Sequence, residues 1–178
     1  MACTPNMTRA ELVRALATGI SPEYSDYVQK HILDKGHEFE ALARPVVEDL
    51  LGEDLAPVTV TEGRYSASLD GRTFSGTIHW EHKRNNAMLR DAFAAMEVDE
   101  SGIYVHGRLL PMMYRVQLEH QCMTAGSDRA LFTASAWENG QCVYMAHCWY
   151  TPDPELRAQI IAAVRAVFEG ERPEAEES

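Results

Sequence analysis

The stretch "SLDGRTFSGTIHWEHK", residues 68–83, decides how this chain folds and where its chemistry sits. Its second half, "TIHWEHK" (77–83), alternates as a strand, with Ile78 and Trp80 on one face and His79, Glu81 and Lys83 on the other. The residues leading into it, "VTVTEGRYSASLD" (58–70), alternate too. There Tyr65, Ala67 and Leu69 share one face, and Ser66, Ser68 and Asp70 the other. Between them "GRTFSG" (71–76) is turn chemistry. If the two strands pair, Asp70 at the end of the first meets Glu81 and Lys83 on the second.

Two carboxylates held together repel unless a proton or a cation intervenes. Carboxylate oxygens are the ligands that hard cations such as Mg²⁺ prefer, and the backbone carbonyl of His82 offers one more. A lysine beside such a cation can hold or deprotonate an attacking water. The set is suited to metal-assisted phosphodiester hydrolysis. Each piece also has a plain structural reading: Asp-Gly is a common turn, and Glu-x-Lys is a common surface pair on a strand. His79 and His82 read as partly exposed strand residues.

Upstream, residues 36–51 follow a helical period through Phe39, Leu42, Ala43, Val46, Val47 and Leu50, with Gly52 as the stop. Pro45 leaves a kink open. At 100° per residue Glu40 falls about 80° from the centre of this apolar stripe, at its edge. Glu38 lies further away. Earlier still, Thr8 and Glu11 form a capping-box pattern, Gly19 ends that helix, and Ser21-Pro22 starts another.

Downstream, residues 87–96 read as helix, and "GIYVHGRLL" (102–110) as a strand or an extended link. Residues 111–126 form a helix on which Tyr114, Gln117 and Gln121 share one face at i, i+3 and i+7. Segments 129–137 and 141–150 are strands around an Asn139-Gly140 hairpin turn, and 153–170 is a closing amphipathic helix. The class expected is α/β (α+β), a central mixed β-sheet flanked by helices.

The chain of 178 residues suits one domain, taken as 1–168, followed by an acidic disordered tail, 169–178. That tail holds five acids and one arginine, −4 of the net −11, so the body carries −7. Such a body argues against coating DNA through its overall field, though not against a local basic groove. Cys3, Cys122, Cys142 and Cys148 include no C-x-x-C pair and read as reduced, mostly buried thiols. No apolar run spans a bilayer and no leader opens the chain, so a cytoplasmic protein without a membrane partner is expected.

In order, "GHEFEALAR", "SLDG", "WEHK" and "YRVQ" resemble the motifs of the PD-(D/E)xK nuclease superfamily. With "TGISPE" added, the chain most resembles the phage lambda exonuclease and YqaJ-type viral recombinase branch, over roughly residues 8–150. The resemblance implies a restriction-endonuclease-like core. It implies that Asp70 and Glu81 are direct metal ligands, that Glu40 binds metal directly or through water, and that Lys83 activates or orients the nucleophilic water. Tyr114 and Gln117 resemble the helix pair that supports the scissile phosphate. It implies Mg²⁺ or Mn²⁺, two ions during catalysis, and digestion of linear duplex DNA from 5′ ends to leave 3′ single strands. It also implies a homotrimeric ring and a single-strand annealing partner.

Arg84, Arg90 and Gln121 are further candidates for contact with DNA. The family's arginine-bearing N-terminal segment has no equivalent in "MACTPN", which suggests a naturally short or truncated form. The competing expectations are an endonuclease on the same core, a non-catalytic binding module, and an unrelated α/β domain with a chance Asp…Glu-x-Lys.

Overall fold

The computed structural model describes residues 34–169. The helix starts at Thr8 and Ser21, "TGISPE", Cys3 and most of the acidic tail lie outside them. Four α-helices and one five-stranded sheet account for most of the described residues. They are α1 (Asp34–Leu51), β1 (Ala56–Glu62), β2 (Tyr65–Arg72), β3 (Ile78–Arg84), α2 (Ala87–Ala94), α3 (Met112–Ala125), β4 (Arg129–Glu138), β5 (Gln141–Tyr150) and α4 (Pro154–Glu169).

The strand order is β1-β2-β3-β4-β5, parallel between β3 and β4 and antiparallel elsewhere. The sheet is mixed, as the alternation and the helices between strands predicted. The segment 58–70 holds more than one strand. Gly63, at φ 58°, turns the chain, and Glu62 pairs with Tyr65 across the two-residue loop. The apolar phase switches across this hairpin, from Val58 and Val60 at even positions to Tyr65, Ala67 and Leu69 at odd ones, and reading 58–70 as one alternating run passed over that switch. The "GRTFSG" turn is also shorter than predicted, because Gly71 and Arg72 belong to β2.

Period-2 alternation puts a different core on each face. Trp80 and Leu131 pack against Ala43 and Val47 of α1. On the other face Phe132, Ala134, Ala146 and Cys148 pack against Leu89 and Phe93 of α2 and Leu118 of α3. The helix α1 runs on through Pro45. Of its stripe, Phe39, Ala43 and Val47 are buried, whereas Val46 and Leu50 are exposed.

The strand β3 is central and covered on both faces, which explains a misreading of its histidines. His79 is fully buried and His82 nearly so, not partly exposed. Burial pushes both imidazoles down to about 4, so both are neutral at neutral pH. On the α1 face, His82 Nε2 meets Ser135 Oγ at 2.7 Å, and Trp80 Nε1 donates to Thr133 Oγ1 at 2.9 Å. The link 102–110 is an extended segment bridging Tyr104 to Val98 and Cys148, then a 3₁₀ turn, Gly107–Leu109. Cys122 and Cys148 are buried thiols and Cys142 is exposed. Among the described residues no helix is long and apolar enough to cross a membrane.

Candidate active site

The strands β2 and β3 pair at only two positions, Gly71 with Trp80 and Arg72 with His79. Beyond these the strands part. The main-chain N–H of His82 has no β2 carbonyl to meet and donates instead to Asp70 Oδ2 at 2.8 Å. In a strand the N–H and C=O of one residue leave by the same edge, so the His82 carbonyl also faces this fork. Asp70 therefore sits inside β2, at the point where it diverges from β3, rather than at its end.

Glu81 forms the floor. It is 2% exposed. Its Oε1 accepts from Lys83 Nζ at 2.5 Å and from Gln117 Nε2 at 2.5 Å, and its Oε2 accepts from Gln121 Nε2 at 2.6 Å. Helical spacing on α3 aims both amides at the same strand residue. Gln121 also donates to Ser68 O at 3.1 Å, tying α3 to β2. It is buried, so the expected contact with DNA gives way to holding Glu81.

From the other face, α1 brings Glu40. Its Oε1 accepts from Arg44 Nη2 at 2.7 Å, four residues on. The same nitrogen reaches Asp70 O at 2.7 Å, Arg44 Nη1 reaches Leu55 O at 3.0 Å, and the guanidinium lies 5.1 Å from the Trp80 ring. Arg44 thus fastens the helical acid to the strand acid. Sequence reasoning missed it, although its i+4 spacing from Glu40 was the available signal.

Tyr114 is nearly buried against Phe132 and accepts from Asn86 Nδ2 at 3.1 Å. Asn86, also missed, caps α2 by accepting from Leu89 N at 2.9 Å. Arg84 is exposed, 5.7 Å over the Phe39 ring, and Arg90 is exposed on α2.

Burial, then the charge of Glu81, raises Asp70 from 3.8 to about 7, and Glu40 adds to the rise. The His82 N–H opposes it. Burial pulls Lys83 down, but its contact with Glu81, helped by Asp70 and Tyr114, leaves it above its ordinary value. Paired with Glu81, Lys83 stands as an ammonium, a donor rather than a base. Glu81 and Glu40 each have a cationic partner, Lys83 and Arg44, whereas among the described residues the Asp70 carboxylate has none.

The donor set fits a hard cation: an Asp70 oxygen, Glu81 and the His82 carbonyl, with Glu40 behind. Among the described residues no group of three or more His, Cys, Asp or Glu side chains is gathered so as to hold a metal ion by itself. Mg²⁺ is ordinarily held by one or two carboxylates with water and substrate phosphate completing its shell, so this open set suits it.

The raised Asp70 has a measurable sign. A carboxyl whose folded value lies above its unfolded value stabilises most below the unfolded one, and that contribution is lost as pH rises. In EDTA, Asp70 is expected to cost stability progressively between about pH 4 and 7. Urea denaturation of wild type and Asp70→Asn across this range checks it: the wild type loses stability relative to the variant as pH rises. Parallel curves would show that Asp70 titrates normally.

The described residues form an α/β core with helices on both faces of a mixed sheet. Solved exonuclease structures share it. The alkaline exonuclease LHK-Exo from Laribacter hongkongensis aligns with a TM-score of 0.64 at 20% identity, over 91% of this chain and 76% of its own. LHK-Exo in complex with dAMP gives 0.66 at 20% identity over the same shares. A phage related exonuclease from Haemophilus somnus 129PT gives 0.60 at 14% identity, over 90% of this chain and 78% of its own. At these identities the likeness is one of fold. No protein-family model matches the sequence, and no curated protein matches it.

Proposed function

We propose that this chain is a divalent-metal-dependent deoxyribonuclease. It acts as an exonuclease, degrading linear duplex DNA from 5′ ends to 5′ mononucleotides and leaving 3′ single strands for recombination. The observation that carries the reading is the convergence of Lys83, Gln117 and Gln121 on buried Glu81, with Asp70 facing it across the fork. The fold shared with the exonuclease structures supports the same chemistry, and the dAMP complex of LHK-Exo supports a mononucleotide product.

Asp70, Glu81 and the His82 carbonyl would hold Mg²⁺ or Mn²⁺, two ions in turnover, with Glu40 contributing directly or through water. When bound, such ions polarise the phosphate and acidify water. The rest falls to the protein. Lys83 donates to the attacking water or to a phosphate oxygen, and its charge stabilises negative charge that develops in the transition state. Attack at phosphorus expels the 3′ oxygen opposite the incoming water. Gln117 and Gln121 hold the Glu81 carboxylate in one orientation, and Arg44 does the same for Glu40. Tyr114, through Asn86, fixes the start of α2, which carries Arg90. Arg84 and Arg90, both exposed, would meet phosphates as DNA approaches. A trimeric ring and a single-strand annealing protein are the partners this reading expects. A ring would let an acidic chain retain DNA by topology rather than by field.

The test is digestion of linear and closed circular duplex with Mg²⁺, beside EDTA and Lys83→Ala controls. Loss of linear DNA only, abolished by both controls, is the expected result. Cutting of the circle would replace the exonuclease reading with an endonuclease one. No cutting in Mg²⁺ or Mn²⁺ would remove the nuclease reading.

A further inference from the structure

A second concavity, of about 440 Å³, lies by the first residue of β4 and the C-terminal end of β5. Asp99, His106, Arg108, Arg129 and Trp149 line it. It shares no residue with the site at Glu81. Arg129 pairs with Ile78 at the start of β3, whereas Glu81 and Lys83 lie towards the far end of that strand. The cavity does not depend on the nuclease reading.

Its main feature is Arg129. The guanidinium lies 3.7 Å over the Trp149 ring. Among the described residues its N–H groups make no hydrogen bond or close ion pair, although its charge reaches the Asp99 carboxylate across the cavity. Stacking fixes the plane of a guanidinium and leaves its edge open, so the donors are oriented before any ligand arrives. Arg108 gives one N–H to Pro152 O at 3.2 Å and keeps the others. In a chain of net charge −11, two arginines opening into one cavity form a local exception.

The wall between them is built at some cost. His106 takes φ 70°, a left-handed conformation a non-glycine residue rarely adopts. Gly107 follows because nothing larger fits: an added Cβ would lie 2.5 Å from Trp149 O. This close crossing seats His106 and Arg108 beside Trp149. Asp99 supplies the opposite character. Its Oδ1 accepts from the N–H and hydroxyl of Ser101 and from Ile103 N, which leaves Oδ2 as an acceptor on the wall.

The geometry points to a binding site for a phosphate ester of nucleotide size. Its phosphate meets the edges of Arg129 and Arg108, and a hydroxyl or amine of the same ligand donates to Asp99. The volume falls in the range of small-molecule sites. The carboxylate disfavours bare polyanions and favours a ligand with a donor at the other end. A free mononucleotide and a nucleotide within a strand share this chemistry.

Isothermal titration in EDTA tests it, with dAMP, deoxyadenosine and a short single-stranded oligodeoxynucleotide as probes. Wild type is expected to bind dAMP at least about tenfold more tightly than deoxyadenosine, since each charge-assisted hydrogen bond is worth about that factor. Arg129→Gln and Arg108→Gln should each weaken dAMP about tenfold. If the substitutions instead weaken only the oligodeoxynucleotide, the occupant is a strand phosphate and the site stands. Absence of binding by either probe, or binding indifferent to both arginine substitutions, would overturn the proposal. Both arginines are exposed, so loss of fold is not expected to confuse the outcome, and circular dichroism verifies this.

Discussion

Glu81→Gln is expected to lower Mg²⁺-dependent digestion of linear duplex DNA by about a thousandfold or more, the upper range for removing one electrostatic contact at a reacting centre. The change keeps the shape of the side chain but removes the charge. It also turns an acceptor-only group into one with two donors. Lys83, Gln117 and Gln121 all present N–H groups to this carboxylate. An amide there sets donor against donor, and Lys83 loses the partner that keeps it raised and in place. Some stability is lost with these contacts, so the loss of activity is read at a temperature where the variant is still folded. Single-turnover assays with thermal melts beside them check both halves. Activity within tenfold of wild type would remove Glu81 from the chemistry.

The second large effect is on stability. Glu119 is fully buried on the other side of α3. Its Oε2 accepts from the Tyr150 hydroxyl at 2.8 Å and from Asp153 N at 2.7 Å, and its Oε1 accepts from Arg157 Nε at 2.7 Å. One carboxylate thus joins α3, the end of β5 and α4. Asp153 adds to the joint by capping α4 and meeting Arg115 at 3.3 Å. Glu119→Ala leaves these donors without an acceptor and is expected to cost about 3–5 kcal/mol, the usual cost of breaking a buried pair. In a chain of this size that lowers Tm by on the order of 10 °C. Glu119→Gln keeps an acceptor and should cost less. Urea denaturation of the two variants decides it, and equal losses would mean that the charge alone matters.

The site was legible where it is local and opaque where it is tertiary. Alternation alone placed Glu81 and Lys83 on one face, and helical spacing placed Gln117 and Gln121 together, because both are properties of a single element. Helical phase also favoured Glu40 over Glu38, and the resemblance to nuclease motifs then gave Glu40 its expected role. What periodicity could not convey was which strand is central. That depends on the parallel pairing of β3 with β4, made across some fifty residues of chain, and it is why His79 and His82 are buried. The role of Gln121 changed for a related reason: its helix lies against β2, so its amide faces inward. Arg44 and Asn86 act through contacts that form only when helices meet strands or each other. The Gly63 hairpin did leave a mark, since a two-residue loop inverts the phase of the alternation, but each half alternates so regularly that the inversion passed for one run.

The two-rung ladder between β2 and β3 has a mechanical consequence. The sheet is a pair of tongs: one jaw is the β1–β2 hairpin with Asp70, the other is β3–β4–β5 with Glu81 and Lys83, and the pivot is Gly71–Trp80. The gape of the jaws sets the distance between the acids. Arg44 and the His82 N–H act as the spring clip that limits it. A substitution in the outer hairpin that widened this gape would move Asp70 away from Glu81 without touching either residue.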